Sequence, residues 1–134
     1  MKTKMAYGVD LGWLSQLEER GIRWVDKEKK EIEPLLAMKE MGADAVRLRI
    51  FVNPPKDAYW RKDENTVCML GFCDAQSVLK VSERVKAAGM KLMLDFHYSD
   101  YFADPEHQDI PAEWINDDAQ TVTKRVYQHT KDVM

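Results

Sequence analysis

Cysteine is scarce: the 134 residues hold only Cys68 and Cys73. That excludes the disulfide framework of a small secreted scaffold. Both fall in one expected loop, where unpaired thiols are expected rather than a local bridge, and no further Cys or His follows closely enough to complete a zinc site. Long apolar runs are missing too. No window approaches the roughly 18 apolar residues of a membrane span, so no membrane partner is expected. The opening Met1–Asp10 reaches an acid before an apolar signal region can form. The expectation is a cytoplasmic protein, or a secreted one whose signal has been removed. An excess of one charge is also absent. Lys+Arg number 20 against 23 Asp+Glu, a net charge of −3, which gives no reason to expect nucleic acid as a partner.

What is present is the composition of a folded domain, 45% hydrophobic and 32% charged, which argues against disorder. No low-complexity stretch or linker divides the chain, so residues 1–134 read as one domain with no second domain. The pattern repeats strand, loop, helix. Ala6–Asp10 predicts a short strand ending in an acid. Trp13–Arg20 predicts a helix stopped by Gly21. Ile22–Val25 is a short extended piece, and the charged run Asp26–Glu31 is a solvated turn. Pro34 opens a second helix with Leu35, Leu36, Met38 and Met41 as its apolar face and Gly42 as its stop. Val46–Val52 alternates as a strand and is ended by Asn53–Pro55.

Lys56–Asp74 shows no period and is expected to be a long loop. Asp74–Ala88 predicts a third helix with Val78, Leu79, Val81 and Val85 inward and Gly89 as its stop. Lys91–His97 is the third strand, Tyr98–Trp114 a loop rich in Asp, Pro and aromatics, and Asp117–Met134 a last helix with Val122, Val126 and Val133 on one side. Alternating strands and helices imply parallel βα units. No G-x-G-x-x-G or G-x-x-x-x-G-K-[ST] follows a strand, which weakens a doubly wound nucleotide-binding sheet.

Ligands of parallel α/β folds lie beyond the carboxyl ends of the strands. Period-two alternation puts Val46, Leu48, Ile50 and Val52 on one face and Arg47, Arg49 and Phe51 on the other. It likewise separates Leu92, Leu94 and Phe96 from Met93, Asp95 and His97. The apolar faces suit a helix layer, leaving Arg47, Arg49, Asp95 and His97 toward the other side. Buried charge is costly unless paired. These residues are therefore either a structural Arg–Asp network or groups that orient and tune catalytic carboxylates; their place at a strand end favours the second. The loop His97–His107 mixes His, Asp and aromatics. No H-E-x-x-H or His-x-His motif accompanies it, so no metal and no cofactor is expected, and the mixture suits a carbohydrate. Trp13, Tyr98, Tyr101, Phe102 and Trp114 are sugar platforms or loop packing.

At this point specific phrases carry a resemblance. Gly8–Trp13, Val46–Pro54 and above all Ala87–Asp100, followed by Ala103–Pro105, Pro111–Ala112, Trp114 and Tyr127–Met134, resemble glycoside hydrolase family 53, the endo-β-1,4-galactanases. The similarity runs over essentially the whole chain in the family's order. It implies the N-terminal portion of a (β/α)₈ TIM barrel, about three βα units. It also implies retaining hydrolysis of β-1,4-galactan, the backbone of type I arabinogalactan, with galactan or galacto-oligosaccharide as the ligand. In that mechanism one Glu is acid/base and another the nucleophile, about 5–5.5 Å apart. The family carries them after strands four and seven, the first in an Asn-Glu pair that does not occur here. Residues 1–134 are accordingly expected to be inactive alone.

The resemblance also implies roles. Arg47 corresponds to the strand-two arginine that supports the nucleophile, with Arg49 the runner-up. His97 corresponds to the strand-three histidine near the sugar subsites and the acid/base. Asp95 supports them. Asp10, Trp13, Phe51, Tyr98, Asp100 and Phe102 are the expected substrate contacts. Phe51 and Phe102 stand where the family usually has Trp, so a smaller stacking face without an indole N–H is expected. Three parallel strands leave two open edges, which predicts that the isolated piece is marginally stable or self-associates. The alternatives are a non-catalytic carbohydrate-binding or assembly module and, behind it, a metal-dependent hydrolase.

Overall fold

The computed structural model describes residues 5–56, 59–61 and 67–134, with the backbone alone for 59–61 and 67–70. The chain forms two compact units, residues 1–49 with 76–95, and residues 50–75 with 96–134. Its three-stranded sheet has the order β1 (Gly8–Asp10), β2 (Ala45–Ile50), β5 (Lys91–Phe96).

In the first unit β1 and β2 run parallel, with Gly8 opposite Ala45 and Asp10 opposite Arg47. Two helices lie between them in sequence, α1 (Leu14–Glu19) and α2 (Pro34–Glu40). α1 buries Leu14 and Gln16 and gives way at Gly21, whose φ of 79° suits a residue without Cβ. The charged run is the expected turn. Asp26 accepts the N–H groups of Glu28 and Lys30, and Val25 bridges Glu31 beyond it. α2 starts as its sequence predicts, with Pro34 in the first turn and the Glu33 carboxylate accepting the Leu36 N–H.

The expected apolar face of α2 is only partly right. Leu35 is fully buried, whereas Leu36 and Met41 are exposed, because Leu36 lies a quarter-turn round from Leu35 and Met41 caps the helix. α3 (Ala75–Ala87) buries Val78, Val81 and Val85, the i, i+3, i+7 stripe of a helix; Leu79, one step off that stripe, is exposed rather than inward. Gly89 follows with φ 66°, and β5 enters the sheet as Lys91 N–H donates to the Asp44 carbonyl. Val46, Leu48 and Ile50 of β2 are buried and alternate with half-buried Ala45, Arg47 and Arg49, as the period predicts. On β5 the start of the strand is open: Leu92 and Met93 are both exposed, so Leu92 is not covered as expected.

The second unit has a small core in which Phe51 and Cys73 are buried and Phe102 packs against them. Phe51 N–H donates to the Cys73 carbonyl. The stretch expected to be a structureless loop contains an antiparallel hairpin, β3 (Tyr59–Arg61) with β4 (Val67–Met69), in the register Tyr59 to Met69 and Arg61 to Val67. Three-residue strands are too short to show a period in sequence. The side chain of Cys68, and with it the expectation of an unbridged thiol, lies outside the described residues. A single 3₁₀ turn, Leu70–Phe72, follows. A Cβ on Gly71 would stand 2.7 Å from the Lys56 carbonyl oxygen, so this close backbone approach requires glycine. The last helix is α4 (Ala119–Val133), capped by Asp118, whose carboxylate accepts the Thr121 N–H. It has no fully buried residue; Val122, Val126 and Val133 are half-buried on one side, as expected. Among the described residues no helix is long and apolar enough to cross a membrane.

Candidate functional site

The first unit gathers four charged residues, Asp10, Arg49 and Asp95 at or next to the ends of their strands and Arg47 in the middle of β2. Asp10 Oδ2, at the end of β1, accepts from Arg47 Nη1 at 2.9 Å and from Arg49 Nη2 at 2.7 Å. Arg47 also donates through Nη2 to Asp95 Oδ2, on β5. The sequence put Arg47, Arg49 and Asp95 on one side by parity, and here they meet. The contact with Asp95, then the charges of Asp95 and Asp10, hold the Arg47 guanidinium still more firmly in its charged form, against some loss from burial. Two guanidinium groups fixed by two carboxylates make a preorganised, electrically balanced pair that can meet a further carboxylate or a hydroxyl. Asp10 therefore stands as the acceptor shared by both arginines, not merely a ligand contact.

Gly12 is a residue the sequence reading passed over. Its N–H donates to Asp10 Oδ1 at 3.1 Å, and a Cβ here would stand 2.7 Å from Arg49 Nη1. The Asp-x-Gly spacing was the available signal. Trp13, expected as a sugar contact, occupies the N-cap position of α1 and is half-buried.

In the second unit His97 follows the end of β5. Its N–H donates to the Ile50 carbonyl, and its Nδ1 accepts from Ala103 N–H at 3.1 Å. The ring meets Phe51 edge-on at 5.2 Å and Phe102 at 6.2 Å, while Phe51 and Phe102 meet each other at 5.0 Å. Phe51 has no exposed surface. It cannot offer a face to a sugar, and the expectation that it contacts substrate is corrected: it is the floor on which His97 rests. Phe102 is half-buried.

Asp100 is likewise corrected. Its carboxylate is buried, with Oδ1 accepting Asn53 N–H and Oδ2 accepting Ala112 N–H, both at 2.9 Å. Both oxygens are engaged with backbone donors, so the residue clips two loops rather than meeting a ligand. Asn53 adds a second tie through its amide to Glu113. Tyr98 turns to α4. Its hydroxyl lies 2.8 Å from Thr130 Oγ1, and Thr130 gives its own proton to the Val126 carbonyl, so Tyr98 is the donor. Its ring stacks on Phe96 at 5.8 Å.

Tyr98 also lines a cleft of about 270 Å³ with Pro111, Trp114, Val122 and Val126. Trp114 itself is 4% exposed, which makes it loop packing, whereas Tyr101 is exposed. In the loop that suggested a metal, Asp104 accepts the N–H groups of Glu106 and His107 and lies 3.1 Å from the His107 ring nitrogen. The Glu106 N–H first, and His107 after it, hold the Asp104 carboxyl below its ordinary range. No group of three or more His, Cys, Asp or Glu that could hold a metal occurs among the described residues.

The sequence profile described as Glycosyl hydrolase family 53 matches residues 6–134. An arabinogalactan endo-beta-1,4-galactanase of Cellvibrio japonicus is 36% identical over 98% of this chain and 32% of its own length. A probable arabinogalactan endo-beta-1,4-galactanase A of Aspergillus terreus is 37% identical over 94% of the chain and 32% of its own. Among solved structures, a fungal beta-1,4-galactanase superposes with a TM-score of 0.78 at 31% identity, over 96% of this chain and 34% of that one. The family 53 catalytic domain of Ignisphaera aggregans gives 0.80 at 30% identity, over 95% and 34%. The chain spans about a third of the length of these relatives.

Proposed function

Because this chain belongs to glycosyl hydrolase family 53 and has the fold of an N-terminal βα portion of a TIM barrel, we propose that it supplies the substrate-side framework of a retaining β-1,4-galactan hydrolase. The observation that carries this reading is the junction of Asp10, Arg47, Arg49 and Asp95, with Asp10, Arg49 and Asp95 toward the carboxyl ends of their strands, where barrel enzymes keep their chemistry. In this reading Arg47, held by Asp10 and Asp95, keeps the nucleophilic carboxylate ionised by charge and hydrogen bonding. Arg49 secures Asp10 from the other side. His97 contributes near the acid/base and the sugar, with Phe102 against its ring, and Tyr98 offers a further substrate contact at the cleft that it lines with Trp114. Retaining chemistry needs a protonated carboxyl and an ionised one facing each other across the scissile bond. The pairing of Asp10 and Asp95 to arginines suits neither to be that proton donor. The two catalytic carboxylates come from other residues of the enzyme, and residues 1–134 alone bind without cleaving.

The test is reducing-sugar release from β-1,4-galactan, with the anomeric configuration of the first product followed by NMR. The enzyme containing this chain should hydrolyse galactan with retention, and Arg47→Ala should lower kcat by about a hundredfold, the scale of losing one preorganised electrostatic donor. An unchanged kcat in Arg47→Ala, or product of inverted configuration, overturns the proposal. Residues 1–134 by themselves should release no sugar.

A further inference from the structure

A histidine ring nitrogen that accepts a hydrogen bond carries no proton. Ala103 N–H, six residues beyond His97, donates to His97 Nδ1 at 3.1 Å. The neutral imidazole therefore holds its one proton on Nε2. Several features keep the ring in that pose. The His97 N–H is fixed to the Ile50 carbonyl, and the fully buried Phe51 lies edge-on to the imidazole at 5.2 Å. Phe102, next to Ala103 in the chain, stands against both rings, so the segment that supplies the amide is itself anchored to the ring it serves. The buried carboxylate of Asp100 ties the same loop at Asn53 and Ala112.

We infer that the backbone amide of Ala103 is a tautomer lock that makes His97 a hydrogen-bond donor through Nε2, directed to an oxygen acceptor and not to a proton that it would remove. The lock makes Ala103 a positioning residue. No side chain at 103 takes part, so only a change that removes the N–H abolishes it. A neutral donor suits a sugar hydroxyl or a carboxylate oxygen, and it excludes His97 as a general base through Nε2 in this state. The choice of a galacto-oligosaccharide as the acceptor rests on the function proposed above; the tautomer does not.

Two measurements separate these levels. In ¹⁵N-labelled protein above neutral pH, a scalar coupling across the hydrogen bond between Ala103 N and His97 Nδ1 is expected, with the ring proton on Nε2. Ala103→Gly keeps the N–H and should keep the coupling, whereas Ala103→Pro removes the donor and should raise the fraction protonated on Nδ1. If Ala103→Pro fails to fold, the coupling in the unaltered protein and in Ala103→Gly decides the matter. A proton on Nδ1, or no coupling, overturns the inference. The second measurement is calorimetry with a galacto-oligosaccharide. His97→Gln can return an N–H₂ near the place of Nε2 and should bind within a few-fold of the unaltered protein, while His97→Asn should lose about tenfold, the equivalent of one hydrogen bond. Equal losses in the two variants overturn the donor role. If the unaltered protein binds no oligosaccharide while the coupling is present, the galactan reading fails and the tautomer lock stands.

Discussion

Glu33 serves two partners with one carboxylate: Oε2 accepts the Leu36 N–H at the start of α2 at 3.0 Å, and Oε1 takes the Arg84 guanidinium of α3 at 2.6 Å. Arg84 meets Glu18 as well, by two parallel bonds of 2.8 Å. One planar fork thus ties α3 to the entrance of α2 and the end of α1, and both carboxylates hold the guanidinium more firmly charged, Glu18 first. The side chains are about one-third exposed, so solvent screening reduces the gain. Arg84→Ala should destabilise the fold by about 1–2 kcal/mol. Arg84→Lys should recover only part of that, because an ammonium cannot serve two carboxylates with a planar fork. Urea unfolding midpoints check both.

Asp100 offers a sharper test of structure against ligand binding. Exchange to Asn turns one buried oxygen into an N–H₂ group facing a backbone N–H. The expected cost is about 2–3 kcal/mol, since a buried donor loses its acceptor. A thermal melt of Asp100→Asn reads this directly. A variant as stable as the original but weaker in sugar binding would instead place Asp100 in contact with ligand.

Gly12→Ala is expected to separate stability from function. Its Cβ would meet Arg49 Nη1 at 2.7 Å, and the far end of a flexible side chain can move aside. Stability should change by less than about 1 kcal/mol, while Arg49 is displaced from Asp10. Under the proposed function, galactan hydrolysis by the enzyme carrying the change should fall by about tenfold or more, the range for a small misplacement of positioning groups. A crystal structure of the variant with Arg49 unmoved would contradict this account.

Acid should loosen α4 through His129. Its Nε2 is buried without a hydrogen-bond partner among the described residues, and its ring meets Phe96 and Tyr98 edge-on. Burial pushes its pKa below the ordinary 6.5, with Asp132 opposing the shift. The unfolded chain then binds more protons than the folded one between the lowered value and 6.5, so stability rises with pH through that window. The contribution is complete above about 6.5 and is lost as pH falls through the folded value. Denaturant melts at pH 5 and pH 7.5 should show this loss, and His129→Phe should make it smaller.

The strand signals were legible because strand geometry fixes parity: Arg47, Arg49 and Asp95 could be placed on one side from the alternation of β2 and β5, and there Arg47 meets Asp95 while Asp10 joins the two arginines. Gly21, Gly42 and Gly89 announced helix ends, and each has positive φ. Other features were hidden for physical reasons. The partners of Asp100 are backbone amides at residues 53 and 112, and every residue but proline has such a donor, so no pattern of side chains reveals them. Leu36 and Leu79 satisfy a generous apolar pattern yet fall just beyond the buried stripe of a short helix. The loss of Phe51 as a sugar platform follows from Cys73 and Phe102 closing over it, a contact between segments distant in sequence. The hairpin of β3 and β4 is too brief to leave a period.

The shared acceptor at the end of β1 has a consequence for how this sequence can change. Positions 10, 47 and 49 are not independent: removing the acid takes from both guanidinium groups the acceptor they share, and removing either cation leaves the acid with one arginine instead of two. Neutralising substitutions at these sites should therefore be strongly non-additive, with a second change relieving part of the damage of the first. Tolerated variation here should arrive in compensating sets, so that the three residues are inherited as one unit.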